Sequence, residues 1–307
     1  MSENADDVAR LRGRPTGRPL DRPLSRRTLF KRAAGAAVAA IAVGSLPACA
    51  STAATTSDTA SASSGGVLLD ETFDGDSLDT SVWNTSHWWG EDGCTIASND
   101  ELEWYLPDQV TVADGALQLT AERRQVTGSD GSTYDYVSGM VTTGPPSDGE
   151  PCKVAFTYGT VEASVTLPEG RGLWPAVWLL PASQRSLPEI DLLEVVGHDL
   201  DHALLHLHPA DATRAVLGKT VALPAGATFA DGRRTVRLDW SPGLLVYTID
   251  GTEVWRVTGS DVPDEPMYLV LNLAVGGTYP GSPSSSTAFP ATYRIDDVRI
   301  TANASTV

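Results

Sequence analysis

Positive charge is scarce in this sequence: 22 Lys and Arg stand against 39 Asp and Glu over 307 residues, a formal net charge of −17. The shortage deepens beyond the N-terminal segment. Residues 1–50 hold nine of the bases and four of the acids, leaving 13 bases against 35 acids. A chain so acidic repels phosphate-rich and other anionic polymers, which excludes nucleic acid as a partner and tolerates a neutral one. Cysteine is rare, three residues in all, and no Cys or His cluster has the spacing of a zinc site. Helical periodicity and internal repeats are also lacking, which argues against bundles and repeat arrays. The weakly apolar run Ala33–Val43 is too short to cross a bilayer and remain there.

What is there instead is a crowded acidic segment, Glu189-Ile190-Asp191-Leu192-Leu193-Glu194. In a strand, side chains alternate faces, so Glu189 and Asp191 point together while Glu194 should point away. A β-bulge absorbs one extra residue and brings Glu194 back to the first face. Two glutamates flanking an aspartate on one face suit retaining glycoside hydrolysis, where one carboxylate attacks the anomeric carbon and another, roughly 5 Å away, protonates the leaving oxygen. The plainer alternative is a solvated polar strand face. Against it, no Lys or Arg lies between Arg185 and Arg214 to neutralise the acids locally.

The N-terminal segment reads as an export signal. Ser25-Arg26-Arg27-Thr28-Leu29-Phe30-Lys31 carries a twin arginine ahead of the short apolar run, the pattern of a Tat signal, whose cargo crosses the membrane already folded. Leu46-Pro47-Ala48-Cys49 resembles a lipobox, which would place a lipid on Cys49; cleavage after Ala48-Cys49-Ala50 would instead release a soluble protein. Residues 51–66, rich in Ser, Thr and Ala, read as a tether with nothing to bury. The expected location is extracellular, lipid-anchored or free. In that oxidising compartment Cys94 and Cys152 could form a disulfide or stay as buried thiols.

From residue 67 to 307 the chain is expected to be one all-β domain. Short alternating or β-branched runs are separated by Gly, Pro and Asp turns: Val110–Val112, Ala116–Thr120, Thr160–Leu167, Thr235–Trp240, Met267–Val275 and Tyr293–Thr301. Leu244–Ile249, Asp250-Gly251 and Thr252–Val257 predict a hairpin with a two-residue turn. Many short strands at this spacing indicate a sandwich or jelly roll.

The blocks around the acids carry a family resemblance. They are Asn99–Tyr105, Ser138–Thr142, Gly172-Leu173-Trp174-Pro175-Ala176-Val177-Trp178, the acidic segment, Leu271–Gly277 and Phe289–Ile300. In this succession the chain resembles glycoside hydrolase family 16, in its bacterial laminarinase-like branch, from about residue 69 to 300. The resemblance implies a concanavalin-like β-jelly roll sandwich with a concave substrate cleft. It implies Glu189 as nucleophile, Glu194 as general acid/base and Asp191 as the group that tunes them. The bulged form of the motif is typical of laminarinases, agarases and carrageenases, whereas lichenases and plant xyloglucan enzymes lack the extra residue.

The same resemblance implies substrate-binding roles for Trp174, Trp178, His206 and Asn99. The two tryptophans are four apart on a strand and share a face, suited to stacking on sugar rings. Their alternative is core packing, the commoner fate of tryptophan. His206 matches a histidine near the leaving-group side, and His208 shares its face as bystander or participant. Asp100 replaces an asparagine common in the family. Asn272 reads as structural, and Trp88 and Trp89 as a rim for an outer sugar. No cofactor is required. Asp296, with Glu71 as co-ligand, matches a position that in some relatives holds a structural Ca²⁺. The expected activity is a monomeric, endo-acting, retaining hydrolase of β-1,3-glucan or mixed-linkage β-1,3-1,4-glucan, a neutral polysaccharide. A transglycosylase acting on another surface glycan and a lectin-like binding module stand as alternatives.

Overall fold

The computed structural model describes residues 66–89 and 93–303. The expected export signal, Cys49 and the expected tether up to residue 65 lie outside the described residues. Local turn chemistry shapes the chain as expected in the hairpin after Leu244–Ile249. Asp250 and Gly251 take φ values of 50° and 75°, the paired positive angles of a type I′ turn whose twist matches the flanking strands. The Asp250 carboxylate then accepts the Thr235 N–H at 3.0 Å, pinning the turn to the neighbouring strand.

The first half of the domain contributes β1 (Val67–Glu71), β2 (Glu103–Tyr105), β3 (Val110–Ala113), β4 (Ala116–Ala121), β5 (Val126–Thr127), β6 (Thr133–Tyr134), β7 (Tyr136–Ser138), β8 (Met140–Thr142) and β9 (Gly159–Thr166). The second half contributes β10 (Leu173–Pro181), β11 (Glu189–Glu194), β12 (His202–His208), β13 (Leu217–Ala222), β14 (Arg234–Ser241), β15 (Leu244–Ile249), β16 (Thr252–Thr258), β17 (Met267–Val275) and β18 (Ala291–Ala302). Two large antiparallel sheets result. One runs β16-β15-β14-β9-β18-β4-β3 with β1 added on β18; the other runs β13-β12-β11-β10-β17-β8.

The main apolar core lies between these sheets. Val161, Ala163 and Val165 of β9 meet it from one side, and Val177 and Leu179 of β10 with Leu269, Leu271 and Leu273 of β17 from the other. The opposite face of the six-stranded sheet carries a second apolar cluster, including Met140, Ala176, Trp178, Leu180, Tyr268, Val270 and Tyr105. Both faces of β10, β11 and β17 are therefore covered, and every residue of the three strands is buried. This double covering explains why they read as nearly continuous apolar runs: a strand with no wet face has no reason to alternate. Acids placed in such a strand are dry, and something must stabilise them.

Candidate active site

The acids sit where the ladder slips. Between β10 and β11, Val177 pairs with Leu193 but Trp178 pairs with Asp191, so Leu192 has no partner. The β11–β12 ladder shifts over the same residues, with Asp191 opposite His206 and Glu194 opposite Leu204. One residue is thus absorbed between Asp191 and Glu194, the bulge that alternation alone required. Leu205 and Leu207 enter the core, so His206 and His208 project from the other face, beside the carboxylates.

There the two imidazoles interleave with the three acids. His206 Nδ1 lies 2.7 Å from Glu194 Oε2 and 3.9 Å from Asp191 Oδ2. His208 Nε2 lies 3.1 Å from Asp191 Oδ2 and 3.7 Å from Glu189 Oε1. Asp191 is the hinge between the two pairs. Burial works against the charged imidazolium at His208, but the Glu189 charge and the Asp191 hydrogen bond together outweigh it and push the ring up to about 9. His206 is raised as well: burial opposes, and the hydrogen bond and charge of Glu194, aided by Asp191, prevail. Asp191 and Glu194 are sealed, at 0% and 1% exposed, while Glu189 at 8% reaches the surface.

His206 owes its place to a missing side chain. Gly218 stands opposite it in the β12–β13 ladder, and a Cβ there would lie 2.7 Å from His206 Cδ2. Tyr247 closes the other side by donating from its hydroxyl to the His206 carbonyl at 3.3 Å.

Trp174 and Trp178 lie in this same sheet, but the structure corrects their expected part as sugar platforms. They are 1% and 2% exposed. The Trp178 Nε1–H donates to Asn272 Oδ1 at 2.8 Å, and the Asn272 amide donates to the Tyr105 hydroxyl at 2.9 Å. His87, itself stacked on Trp89 at 3.9 Å, lies 5.9 Å from the Trp178 ring. Trp88 donates its N–H to the Tyr268 hydroxyl. Trp178 is therefore floor rather than platform. Trp174 is covered by Tyr279, 5.5 Å away between ring centres, and Tyr279 is the ring left open, at 38% exposed. Burial, then the charges of Glu194 and Asp199, raise the Tyr279 phenol to about 12, which places it within electrostatic reach of the acid/base candidate.

Asn99 also departs from its expected part. Its amide donates to Glu101 Oε1 at 2.7 Å and its carbonyl accepts the Thr278 N–H at 2.9 Å. It is buried and braces the loop that carries Tyr279 instead of offering its amide to a sugar. The expected disulfide is corrected too: Cys94 and Cys152 are free thiols. Each packs half-buried at the edge of the cleft-face cluster, where burial disfavours the thiolate and raises both, Cys152 to about 11.

Glu71 and Asp296 approach each other through the β1–β18 ladder, where Glu71 is opposite Val298. Asp296, however, accepts from Arg294 at 2.8 Å, and Glu71 accepts from the Trp83 indole at 3.4 Å. Two carboxylates each held by a protein donor fit calcium poorly, since it takes six or more converging oxygens. Among the described residues, the donor sets that converge within 4.8 Å are Asp191, His206 and His208, and at the surface Asp199, Asp201 and His202. In the first set the same atoms hold the acids in place. Sequence reasoning missed Tyr279, Tyr105 and Gly218; Tyr105 ends the Asn99–Tyr105 block and Tyr279 stands just past the Leu271–Gly277 block, whereas Gly218 lies in neither and carried no local signal.

A sheet face bearing two glutamates, an intervening aspartate and imidazole partners defines a site of the carboxylate-pair, glycoside-hydrolysing class. Residues 98–298 match the Glycosyl hydrolases family 16, and the chain belongs to that family. It is 32% identical over 230 residues to the endo-1,3-1,4-beta-glycanase EglC of Rhizobium meliloti (strain 1021), covering 71% of this chain and 47% of that protein. It is 31% identical to glucan endo-1,3-beta-glucosidase A1 of Niallia circulans, over 76% of this chain and 37% of that protein. The chain thus spans less than half the length of these two relatives. The catalytic domain of an endo-1,3-beta-glucanase (laminarinase) from Thermotoga petrophila RKU-1 superimposes with a TM-score of 0.70 at 30% identity, covering 78% of this chain and 99% of that one. The expected jelly-roll sandwich is the fold found.

Proposed function

We propose that this chain is an endo-acting, retaining hydrolase of β-1,3-glucan, with mixed-linkage β-1,3-1,4-glucan as a second substrate. The observation that carries the reading is the register slip at Leu192, which sets Glu194 on the face of Glu189 and Asp191. The relatives' names, endo-1,3-1,4-beta-glycanase and glucan endo-1,3-beta-glucosidase, support the substrate class.

In the first displacement the Glu189 carboxylate attacks the anomeric carbon while Glu194 gives its proton to the departing glycosidic oxygen. A glycosyl ester on Glu189 results. As Glu194 becomes a carboxylate, the His206 N–H 2.7 Å away is placed to stabilise the new charge. In the second displacement Glu194 takes a proton from water, and the hydroxide so formed releases the sugar from Glu189 with its configuration retained. Asp191, held by His208, keeps the two glutamates at a fixed separation.

Export through the twin-arginine signal, with a lipid on Cys49 as anchor, belongs to the same proposal. It is supported by the sequence of residues 25–49 alone. Laminarin, lichenan, agarose, carrageenan and xyloglucan, each assayed for new reducing ends, test the substrate. Release should be fastest from laminarin, then lichenan; release from agarose or carrageenan alone would overturn the glucan reading.

A further inference from the structure

Away from the catalytic acids, the protein buries a second pair of carboxyls. Glu101 and Glu103 flank Leu102 at the start of β2 and are 5% and 0% exposed. Glu101 is well supplied with donors: the Asn99 amide reaches Oε1 at 2.7 Å and the Ile96 N–H reaches Oε2 at 3.1 Å. Glu103 is not. Its Oε2 accepts the Val275 N–H at 2.7 Å, but its buried Oε1 has no hydrogen-bond partner of the ordinary kind. The neighbour that acts on the Glu103 carboxyl, after burial itself, is the carboxyl of Glu101, buried two residues before it. Two carboxylates cannot rest together in a dry interior. One proton between them converts the repulsion into an O–H···O bond, among the stronger hydrogen bonds a protein makes, and satisfies the orphaned oxygen.

The pair leads to the catalytic strand. Glu103 and Tyr105 stand two apart on β2 and so share a face, and the Glu103 carboxyl adds to the rise of the buried Tyr105 phenol. That hydroxyl accepts from Asn272, and Asn272 accepts from the Trp178 indole. Trp178 is the residue opposite Asp191 at the slip in the ladder. β17 is clamped at the same point, since Leu102 donates its N–H to the Val275 carbonyl while Val275 donates to Glu103.

We propose that Glu103 is a positioning residue of the catalytic sheet: it holds the proton of a Glu101–Glu103 acid–carboxylate pair and, through Tyr105 and Asn272, fixes Trp178 beneath the bulge at Asp191. Burial first, and then the Glu101 charge, hold the Glu103 carboxyl well above the ordinary carboxylate range. The titratable groups facing it are Glu101 from the preceding loop and Tyr105 on its own strand. On β7, Tyr136 pairs with Glu103 in the ladder but its hydroxyl accepts from Arg123. β17 offers an N–H and an amide, both uncharged.

The inference rests on the glucanase reading for its activity arm only. Glu103→Gln, Glu103→Leu, Tyr105→Phe and the Glu103→Leu/Tyr105→Phe double variant are compared with the parent chain, by thermal midpoint from pH 5 to 9 and by kcat and KM on laminarin. A carboxyl raised in the folded state gives stability that is fully present below its ordinary value of 4.5 and is lost as pH climbs through the folded value. The parent midpoint should therefore fall with rising pH relative to Glu103→Gln, whose amide donates the same bond without titrating. Glu103→Gln should keep kcat within about twofold, Glu103→Leu should lose roughly tenfold in kcat with KM little changed, and the double variant should be no worse than Glu103→Leu. A midpoint difference that is flat with pH, or a Gln variant as impaired as the Leu variant, overturns the shared proton. Losses that multiply in the double variant, or a lowered midpoint with kcat intact, overturn the positioning role. If Glu103→Leu does not fold, Glu103→Gln and Tyr105→Phe decide it. If no glucan is cleaved even by the parent, the substrate reading fails while the pH–midpoint arm still decides the pair.

Discussion

Two groups of carboxyls lie buried around one sheet, and the protein stabilises them in opposite ways. Glu189, Asp191 and Glu194 are interleaved with two imidazoles from β12, the closest contacts being 2.7 Å and 3.1 Å. Glu101 and Glu103 accept from backbone and amide N–H groups and, on the proposal above, share a proton instead. The contrast follows from what each group is for. An imidazole partner leaves a carboxyl able to attack carbon or to exchange a proton, whereas a shared proton removes both oxygens from chemistry and makes a rigid brace. Desolvated acids therefore do not by themselves mark a catalytic centre; the kind of partner does.

The sharpest way to break that contrast is to neutralise, one at a time, the two glutamates of the group that faces the imidazoles. Glu189→Gln or Glu194→Gln should lower kcat on laminarin by on the order of 1,000-fold or more, because each removes a bond-making or proton-giving atom. Circular dichroism should show both variants folded, since an amide relieves like-charge repulsion in a buried site. Either variant turning over at a rate near that of the parent would refute its assigned role.

A second test asks whether the imidazoles really carry the charge. His208 is pushed up to about 9 from an ordinary 6.5, so its contribution to stability is fully present below pH 6.5 and drains away as pH rises through 9. The shift corresponds to about 3 kcal/mol at most, given how tightly the ring is coupled to two acids. His208→Gln should flatten the decline in denaturation midpoint between pH 6.5 and 9 that the parent chain shows. Parallel pH profiles for the two proteins would mean that His208 is neutral and that the acids are stabilised otherwise.

Local patterns made much of this molecule legible from its sequence. The Asp250-Gly251 hairpin needed only two residues able to take positive φ, and the bulge followed from counting residues between Glu189 and Glu194. What stayed hidden depends on pairing across the sheet. The choice of His206 over His208 as the neighbour of Glu194 came from the family resemblance alone, because the pairing itself is set by how the β11–β12 ladder recovers after its slip. The covering of Trp174 and Trp178 was hidden for a related reason. A strand buried on both faces shows an unbroken apolar run whether its outer layer is protein or an open cleft. Tyr279 and the loop around His87 supply that layer from segments far away in sequence. The free state of Cys94 and Cys152 is equally a property of the assembled cleft edge, on which spacing is silent.

Gly218 puts the smallest and most specific effect within reach. A glycine inside a strand costs stability through backbone entropy and lost packing, so its presence in β13 needs a reason, and the reason is the His206 ring. A Cβ at Gly218 would lie 2.7 Å from Cδ2 and 3.1 Å from Nε2 of His206, closer than carbon and nitrogen tolerate, so the ring must turn or withdraw. Its Nδ1 is the atom in contact with Glu194 and would move with it. Gly218→Ala should therefore lower kcat by roughly tenfold, with KM nearly unchanged and the fold retained. The pH–rate profile separates this from general destabilisation: His206 is raised by its contact with Glu194, so displacing the ring changes the shape of the profile, whereas a looser β13 edge would lower the rate evenly across pH. Gly226, with positive φ and open space around it, is the control, because Gly226→Ala burdens the backbone without touching the site. If Gly218→Ala matches Gly226→Ala in both rate and profile, the space beside His206 has no part in keeping the catalytic carboxyls distinct from the inert pair.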